Sequence, residues 1–149
     1  MSTKVAAPQT AAHAVLLDVH GRVLLVRPSY KRHHHLPGGY VEQGEMPSQA
    51  VAREILEELS IQPTLNSGPA VIAWAPRDAE RLIFLYVGQL EPEEAAAVRV
   101  DGGEIIDHLW APVADLDTWL HRRVADRVRR ALLVAESGDG PLFLEQPDP

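Results

Sequence analysis

Residues 36–61 read LPGGYVEQGEMPSQAVAREILEELSI and join a glycine-rich loop to an acidic helix. Glycines at positions 38, 39 and 44 allow the loop backbone to approach a neighbouring group or a ligand closely. Pro47 suits the first turn of a helix, where its missing N–H is not needed, so the pattern predicts a helix over Pro47–Leu59. The stretch therefore predicts a loop of close approach that leads directly into a row of carboxylates.

At about 100° per residue, Glu54, Glu57 and Glu58 share one face of this helix. The adjoining face is apolar and is expected to dock on a sheet; it consists of Val51, Ala52, Ile55, Leu56 and Leu59. The carboxylates repel one another at this spacing. They form either an exposed face with a weak Arg53–Glu57 pair, or a site for a hard divalent cation such as Mg²⁺ or Mn²⁺. The neighbouring glycines favour the cation site.

The spacing of the whole stretch is Gly39, five residues, Glu45, seven residues, Arg53-Glu54-Ile55, one residue, Glu57-Glu58, one residue, Ser60 and Ile61. It resembles the signature of the Nudix hydrolase family, GX5EX7REUXEEXGU with U aliphatic, at all fixed positions except the last glycine. Ser60 stands in place of that glycine. Because the position normally takes the left-handed conformation at a helix end, serine should cost about 1 kcal/mol, or the helix should end differently.

The resemblance implies an α/β/α sandwich with a mixed central sheet. It also implies hydrolysis of the pyrophosphate linkage of a nucleoside diphosphate joined to another moiety, by attack of water on phosphorus. Helix and substrate are both anionic, so a Mg²⁺ or Mn²⁺ ion must lie between them, and the expected metal site comprises Gly39, Glu54, Glu57 and Glu58. The family pattern further implies that Arg53 orients Glu57 or Glu45, and that Gly38 and Glu45 support the loop and its junction with the helix.

Two features of the site remain open from the sequence. The general base is either a glutamate of the helix, Glu57 or Glu58, or Glu104, which follows Gly102-Gly103; Glu104 is equally consistent with a solvated residue at the start of a strand. Substrate contacts are expected among Arg27, Tyr40, Trp74 and Arg77, with Tyr30, Arg81 and Tyr86 as further candidates. Each is also consistent with an ordinary core or surface role.

The rest of the chain reads as one domain over residues 13–137, with a mobile lead-in at 1–12 and a tail at 138–149. Apolar runs predict antiparallel strands at 14–19 and 22–27, joined by His20-Gly21, and further strands at 71–75, 81–90 and 104–111. A last helix is predicted from about Asp115 to Glu136. Its five arginines over 122–130 predict a solvated face, with a subunit contact in a homodimer or RNA binding as alternatives; residues 142–144 give the tail an apolar segment able to dock.

The 21 acidic and 14 basic residues give a net charge of −7, of which −4 lies between Glu42 and Glu58. Such a balance argues against a general nucleic-acid binder, although a metal-bound site still admits a polyanionic small molecule. No apolar run is long enough for a membrane span or a signal peptide, so a soluble cytoplasmic protein is expected. The chain has no cysteine, which excludes disulfides, thiolate zinc sites and a cysteine nucleophile.

Three other function classes follow from the same features. A non-catalytic nucleotide-sensing module of the same fold is the main alternative, although it would have little need for the full carboxylate set. An isomerase of isoprenoid diphosphates would want a cysteine that the chain does not have. A structural metal-binding protein would bind Mg²⁺ without releasing phosphate. The run His33-His34-His35 is interpreted as loop side chains, with substrate contact as the alternative.

Overall fold

The computed structural model describes residues 4–148, which form one mixed sheet with helices on both faces. In chain order the strands and helices are β1 (Gln9–Leu17), β2 (Val23–Pro28), β3 (Gly38–Tyr40), α1 (Pro47–Leu59), β4 (Val71–Trp74), β5 (Arg81–Gln89), α2 (Pro92–Ala96), β6 (Ile105–Ala111), α3 (Leu116–Trp119), α4 (Arg122–Ser137) and β7 (Leu142–Glu145). None of the helices in this part of the chain is long and apolar enough to cross a membrane.

The sheet is built around β1. The strand order is β6-β2-β1-β5-β4-β7. β2 pairs with the C-terminal end of β1, and β3 pairs with its N-terminal part. The β1–β5 and β4–β7 pairs are parallel, and the other pairs are antiparallel. Alternate residues of β1 enter two separate cores: Ala12, Ala14 and Leu16 pack with α1, and Ala11 and Val15 pack with α4. The prediction of an α/β/α sandwich with a mixed sheet is confirmed.

The predicted hairpin between the first two strands is confirmed, and Asp18 fixes its turn. The Asp18 carboxylate accepts the main-chain N–H groups of His20 and Arg22 at 2.9 Å and the Arg22 Nε–H at 2.7 Å. Gly21 supplies the positive φ of +75° that the turn requires. These bonds hold the hairpin register although only a few residues of β1 and β2 are paired directly.

The chain enters the sheet earlier than the sequence predicts. β1 begins at Gln9, because its first residues pair with Arg81 and Leu82 of β5, so the predicted lead-in 1–12 loses its last four residues to the sheet. Residues 1–3 of that lead-in lie outside the described residues. At the other end, 142–145 form strand β7 beside β4, and the predicted tail is therefore part of the sheet.

The predicted helix over 115–136 is wrong in one respect: it is two helices. α3 ends at Trp119, Leu120 takes an extended conformation, and α4 begins at Arg122. His121 caps the new helix, since its ring Nδ1 accepts the Arg123 main-chain N–H at 3.1 Å. The apolar periodicity of the sequence continues through the break, and histidine is an uncommon cap. The sequence pattern therefore predicts one continuous helix.

Candidate functional site

Helix α1 extends over Pro47–Leu59, as the sequence predicts, but its buried face differs from the predicted one. Val51, Ile55 and Leu59 are buried, whereas Leu56 is 44 % exposed and Ala52 is exposed as well. Glu58 is buried instead, at 8 % exposure. The helix is rotated toward β3, so one carboxylate of the acidic row is enclosed between the helix and the sheet.

A cleft of about 420 Å³ opens between α1, β3, the loop after β2 and the start of β6. The carboxylates of Glu42, Glu54, Glu58 and Glu104 line it, together with the cations Lys31 and Arg81. Its remaining walls come from aromatic, imidazole and apolar groups, which include His13, Tyr30, His35, Leu36 and Tyr40. The topology therefore brings the glycine loop, the acidic helix and the residue before β6 to one place.

Arg53 is the centre of an ionic network at the mouth of this cleft. Its Nε and Nη2 atoms lie 2.7 and 3.0 Å from the two carboxylate oxygens of Glu45. Nη2 also donates to the Tyr40 carbonyl oxygen at 3.2 Å, which ties β3 to the helix. The bond to Glu45 raises the pKa of the Arg53 guanidinium and lowers that of the Glu45 carboxyl.

The same guanidinium contacts two carboxylates of the acidic row. Arg53 Nη1 lies 3.0 Å from Glu54 Oε1 and 3.3 Å from Glu57 Oε2. The Glu57 side chain is 59 % exposed and the Glu54 side chain only 18 %. Arg53 therefore holds the outer side of the row, and Glu57 is the carboxylate that can move most freely.

Glu58 occupies the inner side of the row, where no arginine reaches it. Its Oε1 accepts the Gly38 main-chain N–H at 2.7 Å. Burial raises the pKa of the Glu58 carboxyl to about 8, and the negative charges of Glu54, Glu104 and Glu57 add to this effect, despite the opposing Gly38 bond. Burial and the neighbouring carboxylates thus both oppose ionisation of Glu58, and a cation in this part of the cleft would favour its charged form.

The two loop glycines leave no room for side chains. A Cβ on Gly39 would lie 2.6 Å from Glu54 Oε1. Gly38 has a φ of +143°, and a Cβ there would collide with the Ala12 carbonyl oxygen and with His13. Glycine at both positions thus lets β3 lie directly against β1 on one side and against the carboxylates on the other.

The donor set suits a hard divalent cation, although the carboxylates are not arranged around one. Burial raises the pKa of Glu54, and the neighbouring charges of Glu57 and Glu104 oppose its ionisation further. Across residues 4–148, no three acidic or histidine side chains are grouped as a ready cation site. Because Arg53 holds Glu54 and Glu57, a bound cation would require these side chains to turn from Arg53 toward the cleft.

Of the four predicted substrate contacts, one lines the cleft, one lines the pocket beside it, and two line neither. Tyr40 lines the cleft and is 59 % exposed, and Arg77 lines the pocket next to it. Arg27 points to the opposite face of β2 from Val26 and Pro28, which do line the cleft, because successive strand residues alternate. Trp74 ends the remote strand β4 and reaches neither the cleft nor the adjoining pocket.

A second pocket of about 680 Å³, here called the basic pocket, continues from the cleft. The two share Tyr30, Lys31, His35, Tyr40 and Arg81 in their walls. The basic pocket adds Arg32, Arg77, Arg123 and Arg127, and it includes all three members of the histidine run 33–35. His34 stacks edge-on against Trp119, with ring centroids 5.2 Å apart, so the run joins the loop after β2 to the break between α3 and α4.

The prediction of a solvated arginine face on the last helix is wrong for two of its five residues. Arg127 is only 4 % exposed, and Arg123 donates to the carbonyl oxygens of Pro76 and Gln146. Arg129 and Arg130 instead form surface ion pairs with Asp117 and Asp126. The sequence signal that separates Arg123 and Arg127 from the surface arginines is their spacing. The two positions are four residues apart, so they lie on the same side of α4, at its buried face.

Comparisons with known proteins agree with this arrangement. A family model described as the NUDIX domain matches residues 7–132. Among solved structures, a MutT protein from Methanosarcina mazei Go1 is similar at 19 % identity, with a TM-score of 0.72 over 93 % of this chain and 100 % of that one. A C. elegans Ap4A hydrolase is similar at 21 % identity, with a TM-score of 0.71 over 87 % and 98 % of the two chains.

The NUDIX domain of Shewanella oneidensis NrtR, solved with ADP ribose, is similar at 21 % identity, with a TM-score of 0.65 over 86 % of this chain and 90 % of that one. A search of curated proteins gives no match. At these identities the solved structures show that the fold is shared, and the match of the family model spans most of the chain.

Proposed function

The chain belongs to the Nudix family of pyrophosphohydrolases, and we propose that it hydrolyses the pyrophosphate linkage of a nucleoside diphosphate derivative with the help of Mg²⁺ or Mn²⁺. The observation that carries the proposal is the convergence of acidic side chains on one cleft, where the innermost of them, Glu58, is paired with no arginine of residues 4–148. Glu54, Glu58 and Glu104 line one cleft; burial raises the pKa of Glu58 to about 8, and the charges of Glu54 and Glu104 add to this effect. A divalent cation between the diphosphate and these carboxylates would remove the repulsion between the two anionic groups.

The residues that would hold the cation are Glu54, Glu57, Glu58 and the Gly39 carbonyl oxygen. When bound, the cation would neutralise phosphate charge and lower the pKa of a water molecule. Gly39 has no Cβ, so its main chain lies directly against Glu54. Glu58 is positioned by the Gly38 N–H, and the exposed Glu57 side chain is free to turn inward.

Arg53 and Glu45 act as positioning residues in this proposal. The two bonds between Arg53 and Glu45 fix the guanidinium, and Glu45 in turn accepts the Glu42 main-chain N–H at 2.9 Å. These bonds fix the loop between β3 and α1 against the helix, and they help to keep Gly39 next to the carboxylates of α1. Arg53 keeps the repulsion within the row tolerable until a cation replaces it as the partner of Glu54 and Glu57.

A general base must take a proton from the water that attacks phosphorus, and the phosphate leaving group then departs. Glu104 lines the cleft and is close enough to raise the pKa values of both Glu54 and Glu58. It is therefore a candidate base beside Glu57 and Glu58 of the helix. Glu104 is exposed and lines the cleft, so its carboxylate is accessible to a water molecule there.

The test is product analysis. Purified protein with Mg²⁺ is incubated with nucleoside triphosphates, oxidised nucleotides, ADP-ribose, nucleotide sugars and dinucleoside polyphosphates, and products are identified by chromatography and mass spectrometry. We expect at least one of these substrates to be cleaved between two phosphorus atoms, and cleavage to stop when a chelator removes the metal. Binding without any product would instead favour the nucleotide-sensing alternative.

Variants of the acidic row link the activity to this site. We expect Glu57→Gln and Glu58→Gln to abolish metal-dependent turnover while circular dichroism and thermal unfolding show an intact fold. Glu136→Gln is the matched control, because Glu136 is an exposed glutamate on α4, away from the cleft. Near-normal activity in both Glu57→Gln and Glu58→Gln would contradict the assignment.

A further inference from the structure

The basic pocket contains a buried arginine with no acidic partner among residues 4–148. The Arg127 side chain lines the pocket although the residue is only 4 % exposed. Its Nε donates to the amide oxygen of Gln146 at 2.8 Å, and no carboxylate of the described chain lies within 4 Å of the guanidinium. A buried guanidinium held by a neutral amide alone is costly, unless an anion completes its surroundings.

The other cations of the pocket are not neutralised by protein groups either. Lys31, Arg77, Arg81 and Arg123 line it together with Arg127, and none of them is in an ion pair with a residue of the part of the chain that the structure describes. The acidic groups nearby are Asp78, which lines the pocket, and Asp126 and Asp148, which act on Arg127 and Arg123 from a distance.

Arg123 shows the same shortage at atomic detail. Its Nη2 donates to two carbonyl oxygens, but its buried Nε has no hydrogen-bond partner within residues 4–148. The positive charges of Arg81 and Arg77 lower the pKa of the Arg123 guanidinium, in addition to the larger effect of burial. The pocket thus concentrates positive charge that repels itself, as an anion-binding site does before the anion arrives.

The basic pocket is continuous with the proposed catalytic cleft. Lys31 and Arg81 stand in both walls, and His35 and the two tyrosines Tyr30 and Tyr40 complete the common boundary. A molecule whose diphosphate faced the acidic row would therefore extend directly toward Arg127. The acidic cleft suits an anionic group that binds together with a divalent cation, whereas the basic pocket suits an anionic group that binds without one.

We propose that the basic pocket binds an additional phosphate group of the substrate, one that lies beyond the diphosphate that is cleaved. The proposal rests on the proposed function for the place of cleavage, while the anion site itself stands on the charges of the pocket. The additional phosphate belongs either to a longer phosphate chain or to a separate phosphate ester on the far part of the substrate. In both cases Arg127, Arg123 and Arg77 would contact its oxygens.

The first experiment measures anion binding without catalysis. Isothermal titration of the full chain with inorganic tripolyphosphate, in EDTA, is expected to show binding that Arg127→Gln weakens at least tenfold and Arg77→Gln about threefold. Arg130→Gln is the matched control, because Arg130 lies on the same helix but pairs with Asp126 at the surface. This variant should bind tripolyphosphate with the same affinity as the unaltered chain. Thermal unfolding checks that Arg127→Gln is folded; Arg77 is exposed, so Arg77→Gln tests the pocket independently.

Glu58→Gln separates the two proposals. If tripolyphosphate binds this variant as well as it binds the unaltered chain, the anion site stands whether or not the acidic row proves to be catalytic. Absence of tripolyphosphate binding to the unaltered chain, or equal affinity of the Arg127→Gln, Arg77→Gln and Arg130→Gln variants, would overturn the anion site and leave the proposed hydrolysis untouched.

The second experiment distinguishes the two sources of the phosphate. Hydrolysis is compared between diadenosine diphosphate and diadenosine tetraphosphate, and between ADP-ribose and ADP-ribose carrying a phosphate ester on the terminal ribose. We expect kcat/KM to be at least tenfold higher for the phosphate-rich member of one pair, and Arg127→Gln to remove that preference through KM. Preference in the first pair assigns a phosphate chain, and preference in the second assigns a phosphate ester. Equal kcat/KM in both pairs would overturn the proposal.

Discussion

Glu104 illustrates how a single residue can have two readings until its surroundings are known. It stands immediately before β6 and is exposed, and it also lines the cleft together with Glu54 and Glu58. If it is the general base, Glu104→Gln should lower kcat by about a hundredfold or more, with little change in metal affinity. Steady-state kinetics and Mn²⁺ titration measure the two quantities separately, and a mere twofold loss of kcat would return the role to the helix.

His35 is a buried imidazole at the boundary of the cleft and the basic pocket. Burial lowers its pKa to about 4, and the charges of Lys31, Arg127 and Arg81 act in the same direction, while its Nδ1–H donates to the Leu36 carbonyl oxygen. His13 is also buried, and its ring centroid lies 4.8 Å from that of His35. Burial is the main cause of the lowered pKa of His13 as well. The pair therefore remains neutral at neutral pH.

The sign of the resulting pH dependence follows from proton binding. Between pH 6.5 and about 4 the unfolded chain protonates His35 while the folded chain does not, so this residue lowers stability as the pH falls. Urea unfolding at pH 7 and pH 5 should show a smaller pH-dependent loss for His35→Gln than for the unaltered chain. His20→Gln, in the exposed turn, is the control and should behave like the unaltered chain. Glu58 acts in the opposite sense over this range, so only the difference between variants isolates His35.

Ser60, the residue after helix α1, takes the left-handed conformation, with φ 61° and ψ 28°. Of the two expectations for Ser60, a different helix end is excluded by this conformation, and the cost of about 1 kcal/mol stays a prediction. Gly138, the residue after α4, takes the same conformation without a Cβ, so the two helices offer a direct comparison within one chain.

We expect Ser60→Gly to raise the free energy of unfolding by about 1 kcal/mol, because glycine adopts this conformation without steric strain. Chemical denaturation measures the change, and turnover should be unaffected since the carboxylates stay in place. Ser137→Gly provides the contrast: Ser137 is the last residue of α4, so glycine there should lower stability. A loss of stability in Ser60→Gly would show that the left-handed serine is not strained.

At the scale of the whole molecule, hydrogen bonds of the residue after β7 connect helix α4 to the sheet. Gln146 follows β7 and is 7 % exposed; its side chain accepts from Arg127 Nε at 2.8 Å and donates to the Arg123 carbonyl oxygen at 3.0 Å. Its main-chain N–H donates to Trp74 at the end of β4. One residue thus connects the sheet edge, α4 and the buried guanidinium of the basic pocket.

Gln146→Ala removes one buried and one partly buried hydrogen bond and leaves Arg127 Nε without its acceptor, so the free energy of unfolding should fall by about 3 kcal/mol. Phe143→Ala is the matched control, because Phe143 lies on β7 with 74 % of its surface exposed. Its effect on urea unfolding should be within about 0.5 kcal/mol. Equal effects of the two substitutions would mean that β7 contributes only through its backbone pairing.

The sequence by itself determined the motif and the acidic helix, because both depend on short-range spacing, and the resemblance carried by the motif implied the family and its α/β/α sandwich. Six fixed motif positions, a proline at a helix start and a glycine in a hairpin turn are local features that need no knowledge of distant neighbours. The predicted bounds of α1 are confirmed for the same reason. The roles of the individual site residues and a homodimer remain predictions.

Tertiary structure alone decided which charged residues are buried and what they face. Glu58 and Leu56 exchange their expected exposure because β3 packs on the carboxylate side of α1, and Arg127 is buried while Arg130 is not because β7 and Gln146 cover one side of α4. Both outcomes depend on segments 20 and 19 residues away along the chain. The periodicity of a helix gives the angle between its faces, but the partner that packs on each face is set by long-range contacts.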